Sequence, residues 1–431
     1  MTRRAEAPRT PAQRLSPLLL IVLGLLAALT PFAIDMYLPS IPAIAQDLHA
    51  PVALAQLSVT VYLGVFAAAQ LVLGPLSDVL GRRLPVAVGL AVFALAAVAC
   101  ALAPSMTAML WARAVQALGG AAVAVTIPAL VRDLFDRDDY ARVMGLVMLV
   151  MGLAPLLAPS VGGLILLYGT WHWVFVGLLG ITAVAAVLFL RLLPETLPPE
   201  RRHPPAPARV LGNYWALLRH RAALGYLLTG MASFGGMMVF IVNSPFVYIE
   251  LHEVPAGWFG PLFGLNIAAA MLFSALNARW VPRWGAERLL RFGLTVQAGA
   301  ALMLLLIALL PALLAVVAPL WLIALGALAY IAMAGLVMGN AMAGFMAFFP
   351  RMAGTASAFA GAGRFGFGAL TGSVTSLLHD GTALPLLLGM ACCGLLAAAT
   401  YQLICCAEVP ADAHHRPGVP PVGGEGTPLS K

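Results

Sequence analysis

Two ionisable side chains lie well inside long apolar stretches of the sequence. Asp35 follows Pro31 by four residues in the first stretch, and Arg113 lies in the fourth. Counted along a helix, each lies roughly 8–10 Å below the nearer end of its stretch. Isolated charges at such a depth are costly and usually face a cavity or a partner. Asp35 and Arg113 could therefore form a fixed ion pair that locks two helices, or they could handle a proton together.

Asp35 is the best candidate for a proton carrier in this sequence. It is the only acid well inside an apolar stretch, whereas the eight histidines fall in the polar connections or at the ends of the stretches. Burial favours a protonated carboxyl group, and a nearby guanidinium favours the carboxylate. Movement of Arg113 relative to Asp35 would therefore switch the protonation of the acid.

A few further polar residues are candidates for the lining of a central cavity. Arg364 is predicted near the middle of the eleventh stretch, among glycines. It could meet an anionic group or a carbonyl of a substrate, or it could only cap neighbouring backbone carbonyls. The other candidates of this kind are Asn243, Asn266 and Asn340.

Membrane-spanning helices must position these residues. The chain of 431 residues is 62% hydrophobic and 10% charged, which lies far outside the range of soluble globular proteins. Twelve apolar runs are long enough to span a bilayer as helices. Their approximate cores are residues 17–40, 53–76, 84–103, 106–131, 142–168, 171–193, 222–249, 257–278, 289–310, 318–343, 353–378 and 383–406.

The predicted fold class is an all-α integral membrane protein, with twelve transmembrane helices in two six-helix bundles. The bundles cover residues 17–193 and 222–406, and a cytoplasmic, Pro-rich linker at 194–221 joins them. Residues 1–16 are predicted as a cytoplasmic N-terminus and 407–431 as a disordered cytoplasmic tail. The five cysteines lie in apolar segments and do not indicate a disulfide framework.

The distribution of basic residues predicts the orientation. With Arg113 and Arg364 set aside as lying inside spans, the other 22 of the 24 Lys and Arg residues fall in the termini, in the loops after even-numbered spans or at the span ends beside those loops. The opposite loops contain no Lys or Arg and carry Asp47, Glu253 and Asp380 instead. Both termini are therefore predicted to be cytoplasmic. Because the net charge of +7 is spread over many loops, it does not indicate nucleic-acid binding.

The loop between the second and third spans carries the pattern Gly74, Asp78, Gly81, Arg82 and Arg83. The two glycines permit a tight reversal, and Asp78 can choose among nearby basic partners. Taken alone, the pattern could be no more than a cytoplasmic turn.

The fifth span has its own unusual composition. It contains Pro155, Pro159, Gly162 and Gly163. The prolines predict a kinked helix, and the glycine pair leaves one face bare for close contact with a neighbour.

In combination, these features resemble the major facilitator superfamily. The loop resembles the signature between its second and third spans, Arg113-x-x-Gln116-x-x-Gly119 resembles a fourth-span motif, and the fifth span resembles the antiporter motif of drug exporters. The sequences at 30–39, 62–78, 171–175, 194–197 and 244–250 resemble the Bcr/CflA group in particular. That group comprises multidrug and chloramphenicol/bicyclomycin resistance proton antiporters of bacterial inner membranes.

The resemblance implies a drug exporter driven by protons through alternating access. It implies Asp35 as the proton carrier, Arg113 as its coupling partner and Gly74–Arg83 as a latch between the two halves. Four residues within the resembling motifs join the cavity candidates: Tyr37, Tyr62, Gln116 and Phe246. The expected partners are a small-molecule drug, protons and the lipid bilayer, and we expect a monomer with no cofactor, metal or nucleic acid.

Two other functions remain open from the sequence. A proton-coupled transporter of one small metabolite would share the fold, although the antiporter-like fifth span favours efflux. A membrane sensor that transports nothing is a further alternative. An enzyme is disfavoured because no span carries a His/Glu pairing.

Overall fold

The computed structural model describes residues 17–198, 200, 202, 207–314 and 318–405. These residues form helices and connecting turns, with no strand among them. The predicted N-terminus at 1–16 and the predicted tail at 407–431 lie outside the described residues, as does part of the predicted linker.

Twelve long helices in the described part of the chain follow the predicted spans. The first half contains α1 (Pro17–Asp35), α2 (Val52–Leu80), α3 (Arg83–Ala101), α4 (Met106–Leu134), α5 (Arg137–Tyr168) and α6 (His172–Leu192). The second half contains α7 (Arg221–Pro245), α8 (Ala256–Trp284), α9 (Ala286–Leu314), α10 (Leu320–Ala347), α11 (Ala353–Leu377) and α12 (Leu384–Thr400). The predicted fold class, an all-α membrane protein of two six-helix bundles, is confirmed.

Eleven spans of the described chain are long and apolar enough to cross a membrane, with Pro17–Asp47 counted as one. The remaining long helix is α11, which has 25 residues. Its hydropathy is lower because it carries Arg364 and many Gly, Ser and Thr residues. It nevertheless packs along α2 and α7.

The two halves meet through two pairs of helices. In one pair α2 packs against α11, where Ser373 donates a hydrogen bond to Thr60 over 2.8 Å. In the other pair α5 packs against α8. Since α2 and α5 belong to the first half and α8 and α11 to the second, these pairs form the interface across which the halves can move.

The first span differs from the prediction because its helix ends at Asp35 and not near residue 40. Pro39 has no N–H group to donate to the carbonyl of Asp35, so the regular helical ladder stops there. The chain continues through a short 3-10 turn, Leu38–Ser40, and a short helix, Ile41–Asp47. The candidate proton carrier is therefore the last residue of a broken helix.

The loop at 74–83 also differs from the expected turn. Helix α2 continues to Leu80, and the reversal is confined to Gly81, whose φ is +93°, and Arg82. Gly74 lies inside the helix, where an added Cβ would have no neighbour within 4 Å. The helix passes through Pro75, which leaves the Leu71 carbonyl without its usual N–H donor.

A helix within the predicted linker supplies that donor. The linker helix, Pro207–Arg219, places Tyr214 so that its hydroxyl donates to the carbonyl oxygen of Leu71 over 3.3 Å. The Tyr214 ring also lies 5.5 Å from the ring of Phe359 on α11. The linker helix therefore bridges α2 and α11 at the end of the molecule that is predicted to be cytoplasmic.

The bare face of α5 permits two close contacts. A Cβ added at Gly162 would overlap the carbonyl oxygen of Met36, and one at Gly163 would lie 2.9 Å from the carbonyl oxygen of Ala256 on α8. Conversely, a Cβ at Gly260 on α8 would lie 2.5 Å from the Cα of Ser160. Pro155 and Pro159 lie inside this same helix. Helix α5 thus touches both the break after Asp35 and the other half.

We expect Gly162→Ala to destabilise the protein, because its methyl group would push the Met36 carbonyl away from α5. Overpacking of this kind typically costs about 1–3 kcal/mol, and the midpoint of thermal unfolding of purified protein should fall by several degrees. The matched control is Gly145→Ala in the same helix, where an added Cβ meets nothing within 4 Å. Equal unfolding midpoints for the two variants would contradict the close contact.

Candidate functional site

Arg113 is fully buried in α4 and is held by aromatic rings. Its guanidinium carbon lies 4.5 Å from the centroid of the Tyr37 ring and 4.6 Å from that of Tyr62. Nη1 donates a hydrogen bond of 2.6 Å to Oε1 of Gln116. Nε and Nη2 have no hydrogen-bond partner among the described residues. The electron-rich faces of the two rings and one amide oxygen therefore surround this cation.

The two tyrosines are themselves anchored by their hydroxyl groups. The hydroxyl oxygen of Tyr37 lies 2.6 Å from Oγ of Ser58 on α2. Tyr62, also on α2, donates to Oγ1 of Thr30 on α1 over 3.3 Å. Gly120 leaves room for this arrangement, because an added Cβ would lie 2.5 Å from the Tyr62 hydroxyl. Residues from α1, α2 and α4 thus converge on Arg113.

Asp35 is also buried, with only 3% of its surface exposed. Its Oδ1 has no hydrogen-bond partner in the described part of the chain. No ion pair of the described residues includes either Asp35 or Arg113. In this conformation Asp35 and Arg113 are therefore not paired with each other.

Two of the three asparagine candidates join pairs of helices. Asn243 on α7 donates to Oγ1 of Thr375 on α11 over 2.9 Å. Asn340 on α10 and Asn277 on α8 exchange hydrogen bonds of 2.8 and 3.3 Å. Asn266 donates to a carbonyl of its own helix, that of Leu262. In this conformation these side chains are engaged in contacts within the second half.

The remaining cavity candidates are Phe246 and Arg364. Phe246 begins a π-helical turn, Phe246–Leu251, and its ring lies 4.3 Å from that of His379. Arg364 lines a small cavity of about 10 Å³ between α7, α10 and α11, and its Nε has no partner among the described residues. The adjacent Phe365 contacts Phe66 of the first half at 5.0 Å between ring centroids. Neither candidate contacts Arg113.

The loop after α2 forms a network around Arg82, whose side chain is almost completely buried. Nη2 lies 2.6 Å from Oδ1 of Asp78, Nη1 donates to Oγ of Ser77 over 2.8 Å, and Nε lies 3.3 Å from Oδ2 of Asp133. These partners all belong to the first half. The described ionic contacts of the loop therefore lie within its own half. Asp78 itself is 52% exposed.

Glu195 holds the backbone of the same loop. Its two carboxylate oxygens accept the N–H groups of Arg82 and Arg83 over 2.8 and 3.2 Å. Burial acts to raise the pKa of Glu195, but the N–H groups of Leu197, Arg82 and Arg83 and the charge of Arg202 outweigh it, and the pKa lies below its usual value. An added Cβ at Gly81 would lie 2.6 Å from this carboxylate, so glycine is required here for space as well as for its φ.

Sequence analysis did not identify Asp133 and Glu195 as members of the loop network. They lie about 50 and 110 residues further along the chain, at the ends of α4 and α6. An acid at the predicted cytoplasmic end of a span is the signal that was available, because it must find a basic partner among basic loops. Sequence spacing alone does not say which one.

The fold and the site together define a polytopic membrane transporter built from two packed six-helix halves. The chain belongs to the Major Facilitator Superfamily, because the sequence model of that family matches residues 23–373 of this chain. Solved structures support the fold. A D-xylose-proton symporter has a TM-score of 0.70 at 15% identity, with 90% of this chain and 97% of that chain covered. The nucleoside transporter NupG has a TM-score of 0.70 at 14% identity, with coverages of 89% and 99%.

Several relatives with higher sequence identity are named for drug resistance. The chain is 35% identical over 394 residues to the bicyclomycin resistance protein homolog of Haemophilus influenzae, with 91% of this chain and 97% of the relative covered. It is 31% identical over 402 residues to the chloramphenicol resistance protein of Pseudomonas aeruginosa, with coverages of 91% and 90%. Multidrug resistance protein MdtL of Shigella flexneri is 34% identical over 252 residues, which is 58% of this chain and 63% of MdtL. The resemblance to the Bcr/CflA group is confirmed.

We expect Glu195→Gln to loosen the loop, because an uncharged amide cannot replace a carboxylate that accepts several N–H groups. Trypsin should then cleave after Arg82 or Arg83 several-fold faster in purified protein, as measured by mass spectrometry of the fragments. Glu200→Gln is the matched control in the same exposed segment. Cleavage at the wild-type rate in the Glu195 variant would rule out this role.

The contact between the Glu195 carboxylate and the backbone of the loop after α2 should weaken at low pH. Because the pKa of Glu195 is lowered in the folded protein, the carboxylate contributes stability above its unfolded pKa, and this stability is lost as the pH falls through the folded pKa. The loop should therefore be fully held at neutral pH.

Proposed function

We propose that this transporter is a drug:proton antiporter of the bacterial inner membrane, which exports small amphipathic compounds by alternating access. The observation that carries the proposal is the buried, unpaired acid Asp35 at the break of α1, close in sequence to a ring that holds Arg113. The names of the relatives support drugs as the substrates. We also infer cytoplasmic termini, a monomer and no catalytic activity.

Asp35 carries the proton in this scheme. A carboxylate without a partner is costly in an apolar interior, so we infer that Asp35 is protonated in this conformation. Arg113 retains two buried N–H groups, at Nε and Nη2, without an acceptor among the described residues. In another conformation these groups can donate to the Asp35 carboxylate after its proton has left toward the cytoplasm.

Contacts between the halves suggest which side is closed. At the predicted outer end, residues Leu38–Ser40 contact α7 and α8, and the short helix Ile41–Asp47 contacts the turn Phe246–Leu251. At the predicted cytoplasmic end, the ionic partners described for the loop after α2 belong to its own half. We therefore take this conformation as closed toward the outside, from which rocking of the halves would open the outer path.

The driving force is sufficient for export. At an illustrative membrane potential of ~150 mV, one inward charge supplies roughly 3.5 kcal/mol. That free energy supports a gradient of about 300-fold for a neutral compound.

Asp35→Asn should abolish proton-driven export while leaving the protein folded, because it preserves the size of the side chain and removes its titration. Everted vesicles would be tested with chloramphenicol first, since one relative is named for resistance to it, and then with an antibiotic panel. Asp380→Asn, in an exposed turn, is the matched control. A compound gradient in vesicles of the Asp35→Asn variant that collapses with an uncoupler would show that another group carries the proton. Proton-driven loading in the opposite direction in wild type would indicate an importer.

Arg113→Ala should move the pH optimum of transport upward, provided that proton release limits the cycle. Without the guanidinium, the Asp35 carboxylate loses a stabilising charge and releases its proton only at higher pH. Lys at this position should restore the wild-type profile only in part, because it lacks the planar fork of Arg. Transport rates across pH 5.5–9 in the three proteins provide the test, and three superimposable profiles would mean that Arg113 has a purely structural role.

A further inference from the structure

The charge of Arg113 is balanced in an unusual way for a residue inside a membrane. Intramembrane cations normally pair with an acid or with backbone carbonyls. Among the described residues, Arg113 instead contacts two tyrosine rings and one glutamine oxygen. The rings lie in the turn after α1 and on α2, and Arg113 lies on α4, so the environment of the cation depends on the relative position of three helices.

The rings have anchors besides the cation. Hydrogen bonds to Ser58 and Thr30 hold the hydroxyl ends of Tyr37 and Tyr62, and both side chains are fully buried. Each ring is therefore held by a residue of α1 or α2 as well as by its contact with the guanidinium. A cation–π contact is strengthened when it is desolvated, so these contacts can compete with an ion pair.

One of these rings, that of Tyr37, is close to Asp35 along the chain. Tyr37 lies two residues after Asp35, in the turn where α1 is broken. A movement of this turn would shift the acid and one ring of the cluster together. Contact of Met36, the residue between them, with Gly162 on α5 gives such a movement a route to the other half.

We propose that Tyr37 and Tyr62 are positioning residues that form an aromatic clamp, which holds the Arg113 guanidinium away from Asp35 and thereby sets the pH at which Asp35 exchanges its proton. This inference rests on the proposed function only in taking Asp35 as the proton carrier. The clamp gives Arg113 a stable position while Asp35 is protonated. Release of the guanidinium from the clamp then favours the carboxylate.

Few other ionisable groups act on this pair. The ionisable groups of the described residues that face Arg113 are Tyr37 in the turn after α1, Tyr62 on α2 and Cys100 on α3. No acid or base of the described residues lies within ion-pair distance of Asp35. The proton equilibrium of Asp35 should therefore respond chiefly to where the guanidinium lies.

The first test measures protonation of Asp35 directly. A hydrophobic carbodiimide reacts with protonated carboxyl groups, so the pH midpoint of Asp35 labelling, followed by mass spectrometry, reports its proton equilibrium. Asp35→Asn provides the unlabelled background. Tyr37→Leu and Tyr62→Leu should each lower the midpoint by about one pH unit, because the freed guanidinium stabilises the carboxylate. Tyr168→Leu, at a tyrosine that is 90% exposed, should leave it unchanged.

The second test keeps the shape of the ring. Replacement of Tyr62 by phenylalanine, and then by phenylalanines with one, two and three ring fluorines, weakens the π face in steps with little change in size. Phenylalanine lacks the hydroxyl that bonds Thr30 and therefore serves as the reference of the series; the midpoint should fall from that reference with each added fluorine. This series remains informative if the leucine variants fail to fold.

Two outcomes would overturn the clamp. A midpoint that is insensitive to fluorination would show that the ring faces do not hold the guanidinium. A shift caused by Tyr62→Leu that persists in an Arg113→Ala background would show that the ring acts on Asp35 without Arg113. Either result would leave the proposed function intact, because that depends on export by wild type and its loss in Asp35→Asn.

Discussion

A guanidinium and a carboxyl group are buried in the same six-helix half, and neither one neutralises the other. This is the constraint on which the rest of the first half depends. The cation needs the faces of Tyr37 and Tyr62 and the oxygen of Gln116. Those rings need anchors on α1 and α2, and Gly120 must stay small so that Tyr62 fits. Several residue choices on three helices thus follow from one unpaired buried charge.

The acid is connected to the interface between the halves through a short series of contacts. Asp35 ends the regular part of α1, the Met36 carbonyl packs on Gly162, and the next glycine contacts the first turn of α8. Glycine at these positions brings backbones together, so a small displacement is passed on rather than absorbed by flexible side chains. At the opposite end, Arg82 and Glu195 hold the loop after α2, and the linker helix joins α2 to α11 through Tyr214.

Sequence reasoning predicted the helices well because the membrane requires long apolar runs, and it found Asp35 and Arg113 because charges inside such runs are rare. It could not predict their partners. An acid and a base at similar depth suggest an ion pair, yet the ring of Tyr37, which the motif suggested as a substrate contact, faces Arg113. Helix α1 ends at Asp35 because Pro39 has no N–H group to donate to the Asp35 carbonyl. Helix α2, in contrast, continues through Pro75, because the hydroxyl of Tyr214 from a distant helix donates a hydrogen bond to the carbonyl of Leu71 that Pro75 leaves unpaired. Such compensation by remote residues leaves no local pattern.

The protonation of Asp35 before the transported compound binds is the point on which this mechanism depends most directly. It can be measured as the protons released when the compound is added to purified protein in weakly buffered solution near neutral pH. The mechanism predicts close to one proton released for each bound molecule in wild type, and none in Asp35→Asn at saturating compound. Undiminished release from the Asp35→Asn variant, or binding to wild type without any release, would contradict it.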